Sequence, residues 1–433
     1  MQPILNNLSW LAIGRIFQLL ASATVGVLVA RYLGPSDFGR MSFSIAFVSL
    51  FIVVVPLGMP SVLIREMVRD RTSQVRLLGI AVATQSVAAI MVYGIVVSAI
   101  GVVAHSDRML LTLAAIYGLT VLAKPADVFR TWFEAEVKSG YVVRMEMAVL
   151  VVASLAKILA IVLGSSVWVF VAIQAALMSA NSFGAMLVYR RVTRRQLFSE
   201  WDTGTALNLL SQSWPMIISA VGLVLYLQID QVMLGRMASD TQVGLYSAAL
   251  RLSEVWYSVP MLLVSTLFPA IVRAHEASAE RFRARIAALL ELFNGVSICI
   301  ALVISISSGW IVKLLYGEAY ADAGPVLALH VWSAVFIFMG TITGKWYLLQ
   351  GIQRWNIFRN FLGAGVNIVL NLWAIPLWGA WGAALTTLLS YMAANFLADI
   401  FTASARPLFF EKLRALFLWP RLFWRPKSRL AKL

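Results

Sequence analysis

The sequence predicts an all-α, polytopic membrane protein with about twelve transmembrane helices, arranged as two six-helix lobes around a central cavity. Of its 433 residues, 61% are hydrophobic and only 13% are charged, which lies far outside the range of soluble domains. The apolar residues form long runs, and a run of about 20 residues crosses the ~30 Å hydrocarbon core of a bilayer as a helix. The connections between runs are too short to hold a soluble domain.

Twelve apolar runs are the predicted spans. They cover residues 8–30, 41–63, 79–103, 109–133, 145–163, 166–189, 209–235, 244–270, 288–312, 325–350, 360–377 and 380–404. The first six form a predicted N-terminal lobe, residues 1–196, and the last six a C-terminal lobe, residues 206–405. Residues 406–433 follow as a basic amphipathic tail.

Short segments of the N-terminal half recur, in the same order, in the C-terminal half. Leu5–Ser9 resembles Leu207–Ser211, Gly39–Ser42 resembles Gly244–Ser247, and Val55–Leu57 resembles Val259–Met261. A common order at a near-constant offset indicates an internal duplication of the kind found in many transporters.

The distribution of lysine and arginine predicts the orientation. Loops after even-numbered spans, together with the tail, hold 24 basic residues, whereas loops after odd-numbered spans hold 5. The positive-inside rule therefore places both termini in the cytoplasm. The net charge of +15 is explained by basic loops beside anionic lipid, so no nucleic-acid partner is expected.

Spans seven and eight carry ionic residues at membrane depth, each on one polar helix face. Such charges are costly and usually face a water-filled cavity or each other. The alternative is a helix–helix seam with an internal Arg251–Glu254 pair. The two faces consist of Gln212, Ser219, Tyr226 and Asp230, and of Ser247, Arg251, Glu254, Ser258 and Ser265.

Four further features concern polar groups in other spans. Arg15 and Gln18 share one face of the first span at helical spacing. Lys124 and Lys157 lie deeper in their predicted spans, although Lys124 could pair with Asp127, three residues later on the same helix. Arg130, Lys345 and Asp399 lie near predicted cytoplasmic ends, where we expect them to reach the interface. Asn367 and Asn371 share a face of span eleven, which suits either helix packing or a sugar-facing wall.

In the tail, Phe409, Leu413, Leu416 and Phe417 form an apolar face, which predicts an interfacial helix on the inner leaflet.

Signatures of catalysis and of metal binding are missing from the sequence. It contains no phosphate-binding glycine loop, no HExxH and no nucleophile elbow, and its three histidines are scattered. We therefore expect neither an enzyme nor a resident cofactor or metal. Cys299 is the single cysteine, which excludes an intrachain disulfide.

Several short motifs follow one another in a characteristic order along the chain. They are Arg31–Pro35 with Phe38-Gly39 and Pro56–Gly58, then Asp230–Gly235 and Val243–Ser247, and finally Gly379–Ala384. In this order they resemble the polysaccharide biosynthesis flippases, the Wzx-type members of the multidrug/oligosaccharidyl-lipid/polysaccharide exporter superfamily. The likeness spans about residues 1–405, and its specificity comes from the order of the motifs.

The resemblance implies alternating-access movement of an undecaprenyl-diphosphate-linked oligosaccharide, for O-antigen, capsule or exopolysaccharide synthesis. Membrane lipids, a polymerase and glycosyltransferases would be its partners. Arg15, Lys124, Lys157 and Arg251 are then candidates for the diphosphate, Gln18, Gln212, Tyr226, Asn367 and Asn371 for the sugar, and Asp230 and Glu254 for ion coupling. Two alternatives stay open: a cation-coupled drug or metabolite antiporter of the same fold, and a membrane glycosyl polymerase, which the short loops disfavour.

Overall fold

A computed structural model describes residues 2–104, 107–194 and 201–418 of the chain. Throughout these residues every regular element is helical, which confirms the all-α prediction. The α-helices are α1 Gln2–Ile52, α2 Pro60–Arg69, α3 Gln74–Ala104, α4 Arg108–Ala123, α5 Val128–Ala135, α6 Gly140–Val162, α7 Val167–Thr193, α8 Thr203–Met237, α9 Asp240–Glu254, α10 Ser258–Ala277, α11 Ala279–Tyr316, α12 Ala323–His330, α13 Ser333–Leu349, α14 Trp355–Asn395 and α15 Arg406–Leu418. Short 3-10 helices cover Lys124–Asp127, Val255–Tyr257, Glu318–Tyr320 and Leu397–Phe401.

The chain divides into two compact units, residues 1–228 and 229–433, with the boundary inside α8. The predicted lobes, residues 1–196 and 206–405, remain a prediction. In the described part of the chain, nine helices or helix pairs are long and apolar enough to span a membrane, which confirms a polytopic membrane protein.

Two predicted inter-span connections are kinks inside long helices. Gly34 has φ 72° and precedes Pro35, so α1 holds the first predicted span and most of the second. Gly379 has φ 53° and similarly separates the eleventh and twelfth spans within α14. Both are conformations that glycine adopts without a steric penalty.

Several predicted spans are interrupted, which the apolar pattern alone does not reveal. The second is interrupted at residues 53–59, between α1 and α2. The fourth span breaks at the 3-10 turn Lys124–Asp127, which contains Pro125. The eighth breaks at Val255–Tyr257, where Pro260 just downstream has no N–H for the carbonyl four residues earlier. The tenth divides into α12 and α13 after His330. Broken helices at membrane depth free backbone groups to line a binding site.

A buried ion pair joins α15 to the end of the last span. Lys412 Nζ lies 2.5 Å from Asp399 Oδ2 and donates to the Asn395 carbonyl at 2.6 Å, and both side chains are at most 1% exposed. Burial lowers the pKa of the Lys412 ammonium to about 8, although the Asp399 carboxylate opposes this shift. The expectation that Asp399 reaches the interface is therefore wrong, because α15 covers it.

The tail helix has two distinct sides. Leu408 and Ala415 are buried in the core of residues 229–433, and Phe409 and Leu416 pack against that core. Phe417, which the sequence grouped with Phe409 and Leu416, is instead 74% exposed. The role of the tail on the inner leaflet remains a prediction.

Candidate functional site

Buried polar side chains of the second unit converge on Asp230, near the end of α8. Asn371 Nδ2 donates to Asp230 Oδ1 at 2.6 Å. Tyr246 Oη donates to Oδ2 at 3.0 Å, and Thr387 Oγ1 does so at 2.8 Å. Asp230 is only 2% exposed, and its partners are no more than 4% exposed. The carboxylate is therefore held by three donors from α9 and from both arms of α14.

A second layer of oxygen atoms surrounds this core. Asn371 Nδ2 also donates to Asn367 Oδ1 at 2.9 Å, and Thr386 Oγ1 donates to Asn371 Oδ1. The carbonyl of Ala383 lies 2.9 Å from Thr386 Oγ1 and 2.7 Å from Thr387 Oγ1, so it shares the single proton of each hydroxyl with Asn371 Oδ1 and Asp230 Oδ2, respectively. We call Asp230, Tyr246, Asn367, Asn371, Thr386 and Thr387 the Asp230 cluster.

The kink at Gly379 brings the two arms of α14 together at this cluster. Gln242 of α9 holds the kink, because its Oε1 accepts from the Ala380 amide at 2.8 Å. A Cβ at position 379 would lie only 2.5 Å from the same Gln242 Oε1, so a side chain there would displace the hydrogen bond. Glycine at this position thus permits the asparagines of one arm to meet the threonines of the other.

The chemistry of the Asp230 cluster suits a small hard cation or a proton. Among the described residues, every hydrogen-bond partner of Asp230 is a neutral group. The nearby oxygens are carboxylate, amide, hydroxyl and backbone carbonyl, which are the ligands that hard cations prefer. A buried carboxylate with only neutral partners is costly in a membrane unless a cation or a proton binds to it and neutralises its charge.

Arg251 and Glu254 lie one turn apart at the end of α9, just before the 3-10 break. Arg251 is half-buried and interacts electrostatically with Glu254, Tyr316 and Tyr320, whereas Glu254 is exposed. The Tyr316 hydroxyl is fixed by the Ala248 carbonyl at 3.3 Å. Arg251 thus has both an acid and phenolic oxygens near its guanidinium.

The candidate cations of the first unit differ in their surroundings. Arg15 is exposed on α1, as is Gln18. Lys124 Nζ contacts Asp127 Oδ2 at 2.5 Å across the 3-10 turn, which is the pairing predicted from the spacing of the two residues. Lys157 Nζ donates to Gln174 Oε1 at 2.7 Å. Of these three cations, Arg15 has the most open surroundings.

Two of the five sugar candidates lie in α8, within the first unit. Gln212 accepts a hydrogen bond from Arg65 and donates to Asn208 Oδ1 at 2.9 Å, and Tyr226 is only 5% exposed. Asn367 and Asn371 are fully buried in the Asp230 cluster. The sugar roles of these residues remain predictions.

Sequence reasoning did not identify Tyr246, Thr386 and Thr387 as site residues. Helical spacing groups residues along one helix, whereas the cluster is assembled from α8, α9 and two arms of a kinked helix. A usable signal was the glycine at position 379 between a stripe of asparagines and a Thr-Thr pair.

A family model described as polysaccharide biosynthesis protein matches residues 4–275, which is more than half of the chain. The chain belongs to the polysaccharide biosynthesis protein family. This confirms the resemblance found in the sequence. A second model, MatE, matches residues 215–373 of this family member.

One curated relative is the "probable flippase AglR" of Haloferax volcanii. It is 27% identical over 178 residues, which are 40% of this chain and 37% of AglR. The alignment therefore spans well under half of that relative's length.

Solved transporter structures share the fold of this polysaccharide biosynthesis protein. The lipid II flippase MurJ in an inward closed conformation aligns with a TM-score of 0.74 and 12% identity, covering 97% of this chain and 95% of MurJ. An inward-facing multidrug resistance transporter of the MATE family aligns with a TM-score of 0.69 and 14% identity, covering 94% and 99%. At such low identity the comparison establishes the fold alone.

Proposed function

We propose that this protein is a flippase that moves undecaprenyl-diphosphate-linked oligosaccharides across the inner membrane for surface polysaccharide synthesis. Membership of the polysaccharide biosynthesis family supports this, as does the likeness to a relative named a probable flippase. Movement would proceed by alternating access, with a cation or proton exchanged at the Asp230 cluster. Glycosyltransferases would supply the substrate and a polymerase would consume it.

The observation that carries the coupling part of the proposal is the neutral environment of Asp230. Three donors orient both carboxylate oxygens, yet no described residue neutralises the charge. Binding of a monovalent cation would remove the electrostatic penalty and recruit the amide and hydroxyl oxygens. Glu254, which is exposed and has Arg251 one turn away, is the weaker coupling candidate.

Basic residues of the spans are the proposed contacts of the diphosphate. A guanidinium binds phosphate oxygens with two parallel hydrogen bonds, so Arg15 and Arg251 are the strongest candidates. Lys124 would have to exchange its 2.5 Å contact with Asp127, and Lys157 its hydrogen bond to Gln174. The polyprenyl chain would stay in lipid throughout.

A second candidate function is cation-coupled export of a drug or metabolite. The MatE match over residues 215–373 and the fold shared with a multidrug transporter favour it. The predicted spans hold six basic and six acidic residues, so their charge balance does not decide between the two functions.

A transport assay on the purified protein in liposomes separates the two functions. We expect translocation of a fluorescent polyprenyl-diphosphate oligosaccharide and no transport of a cationic dye such as ethidium. Transport of ethidium, with no movement of the lipid-linked sugar, would instead establish the exporter.

A further inference from the structure

The first unit has a polar pocket of its own. It has a volume of about 310 Å³, opens to the surface, and is formed by the α2–α3 turn, the start of α3, the end of α5 with the α5–α6 connection, and the end of α7. The polar residues of its wall are Arg71, Gln74, Trp132, Glu136, Lys138 and Thr193. None of them belongs to the functional candidates discussed above.

The floor of the pocket is fixed by a buried glutamine. Gln74 is 3% exposed, and its Nε2 donates to Glu136 Oε1 at 2.9 Å and to the Met67 carbonyl at 3.3 Å. Its Oε1 accepts from Trp132 Nε1 at 2.8 Å. These bonds join three helices and hold the Glu136 carboxylate in one orientation.

The mouth of the pocket carries two cations around this single carboxylate. The Arg71 guanidinium lies 3.9 Å from Glu136 Oε1, and Lys138 Nζ lies 3.8 Å from Oε2. Both distances exceed the roughly 2.7–3.2 Å of a hydrogen bond, so these contacts leave donors of both cations available. Lys138 Nζ also lies 5.3 Å from the centre of the Trp132 ring, which keeps the ammonium at the pocket wall. The pocket therefore combines net positive charge with a fixed carboxylate acceptor.

This combination fits a ligand that carries a phosphate together with hydroxyl groups. The phosphate would take the free donors of Arg71 and Lys138, and hydroxyls would donate to Glu136. At about 30 Å³ per water molecule, the pocket has the volume of roughly ten waters, enough for a phosphoglycerol group. The turns that form it belong to loops for which the basic residues predict the cytoplasmic side, beside the inner leaflet.

We propose that this pocket binds the glycerophosphate headgroup of an anionic inner-leaflet phospholipid. The bound lipid would bridge the α2–α3 turn, the end of α5 with the α5–α6 connection, and the end of α7, at the predicted cytoplasmic end of the first unit. The proposal concerns a resident lipid and does not depend on the transported substrate.

Native mass spectrometry of the full chain in detergent tests the pocket, with phosphatidylglycerol and phosphatidylethanolamine as probes. We expect preferential binding of phosphatidylglycerol. Arg71→Gln/Lys138→Gln should weaken that binding by at least about tenfold, because the loss of even one of the two charged hydrogen bonds corresponds to about tenfold. Arg281→Gln/Arg283→Gln removes the same charge from exposed positions on α11 and should leave binding unchanged. Equal losses in both double variants, or no loss in the pocket variant, would overturn the proposal.

Two further arms identify the source of the ligand. Soluble glycerol 1-phosphate should displace the lipid only at far higher concentration, because it lacks the acyl chains. Displacement by glycerol 1-phosphate at a concentration equal to that of the lipid would assign the pocket to free phosphate esters. Displacement of the lipid by an oligoglutamate peptide would assign the pocket to an acidic protein partner. Either result would contradict a resident lipid. If the double variant is unstable, Arg71→Gln alone serves, because the Arg71 side chain is 79% exposed; unchanged affinity in that variant would also overturn the proposal.

Discussion

At the scale of single residues, Asp230 is the centre of the account. Its carboxylate is buried and is hydrogen-bonded by Asn371, Tyr246 and Thr387. Removing the charge while keeping the shape should leave these packed neighbours in place. The same change should remove most of the attraction for a cation, because the neutral oxygens that remain attract a cation only weakly.

We therefore expect Asp230→Asn to abolish saturable cation binding while the protein still purifies as a monodisperse species. Radioactive sodium binding to detergent-purified protein, repeated at several pH values, measures this and separates sodium from proton occupancy. Asp202→Asn is the control, because Asp202 lies just before α8, is only partly buried, and accepts hydrogen bonds from the Gly204 amide and the Thr205 hydroxyl of the first turn of α8. Equal loss of binding in both variants would indicate a general charge effect.

Glycine geometry gives a second prediction at this scale. Gly58 has φ 65°, and a Cβ there would collide with the Ser213 carbonyl oxygen of α8. Gly34 has φ 72° but no atom within 4 Å of such a Cβ. Gly34→Ala should cost roughly 1–3 kcal/mol of backbone strain, because φ 72° with ψ 171° is a conformation that essentially only glycine adopts. Gly58→Ala should cost distinctly more, because α8 must also shift. Thermal unfolding in detergent, followed by tryptophan fluorescence, compares the two variants; equal midpoints would contradict the steric argument.

At the scale of helices, the runs of apolar residues predicted the positions of the membrane-spanning helices better than the breaks within them. A run of apolar residues fixes where a helix can cross a membrane, and the predicted spans match described helices for this reason. The breaks at Lys124–Asp127 and Val255–Tyr257 depend on local proline chemistry and on neighbouring helices. The Asp230 cluster needs these tertiary arrangements, so only Asp230, Asn367 and Asn371 were singled out from sequence.

The tail helix provides a prediction at this scale. Lys412→Met leaves Asp399 buried without its cation, which should destabilise the docked helix by about 3–5 kcal/mol. Lys412→Met/Asp399→Leu removes both charges and should recover most of that loss. A spin label at Phe417→Cys, in a Cys299→Ser background, reports docking by its mobility, since Phe417 is 74% exposed. The same mobility in the single and double variants would show that the pair does not hold α15.

At the scale of the whole molecule, composition and the basic loops carried most of the prediction. They indicate a polytopic protein and an orientation, because both depend on simple partitioning of residues between lipid and water. The identity of the substrate could not be predicted in this way. It depends on side chains from several helices and on groups that change partners during transport.

Orientation is testable with single cysteines in a Cys299→Ser background. Thr72→Cys lies in a basic turn predicted to be cytoplasmic, whereas Glu318→Cys lies in a predicted periplasmic turn with a 78% exposed side chain. We expect a membrane-impermeant maleimide to label position 318 in intact cells and position 72 only after permeabilisation. The reverse pattern would invert the topology.

The central claim is that a cation exchanged at Asp230 drives movement of a lipid-linked oligosaccharide. Its most direct test is the initial rate of translocation of a fluorescent polyprenyl-diphosphate oligosaccharide in liposomes, with and without an imposed sodium or proton gradient. We expect one of these gradients to raise the wild-type rate about tenfold or more and to leave the rate of Asp230→Asn unchanged. A wild-type rate that ignores both gradients, or an Asp230→Asn protein that responds as the wild type does, would contradict it.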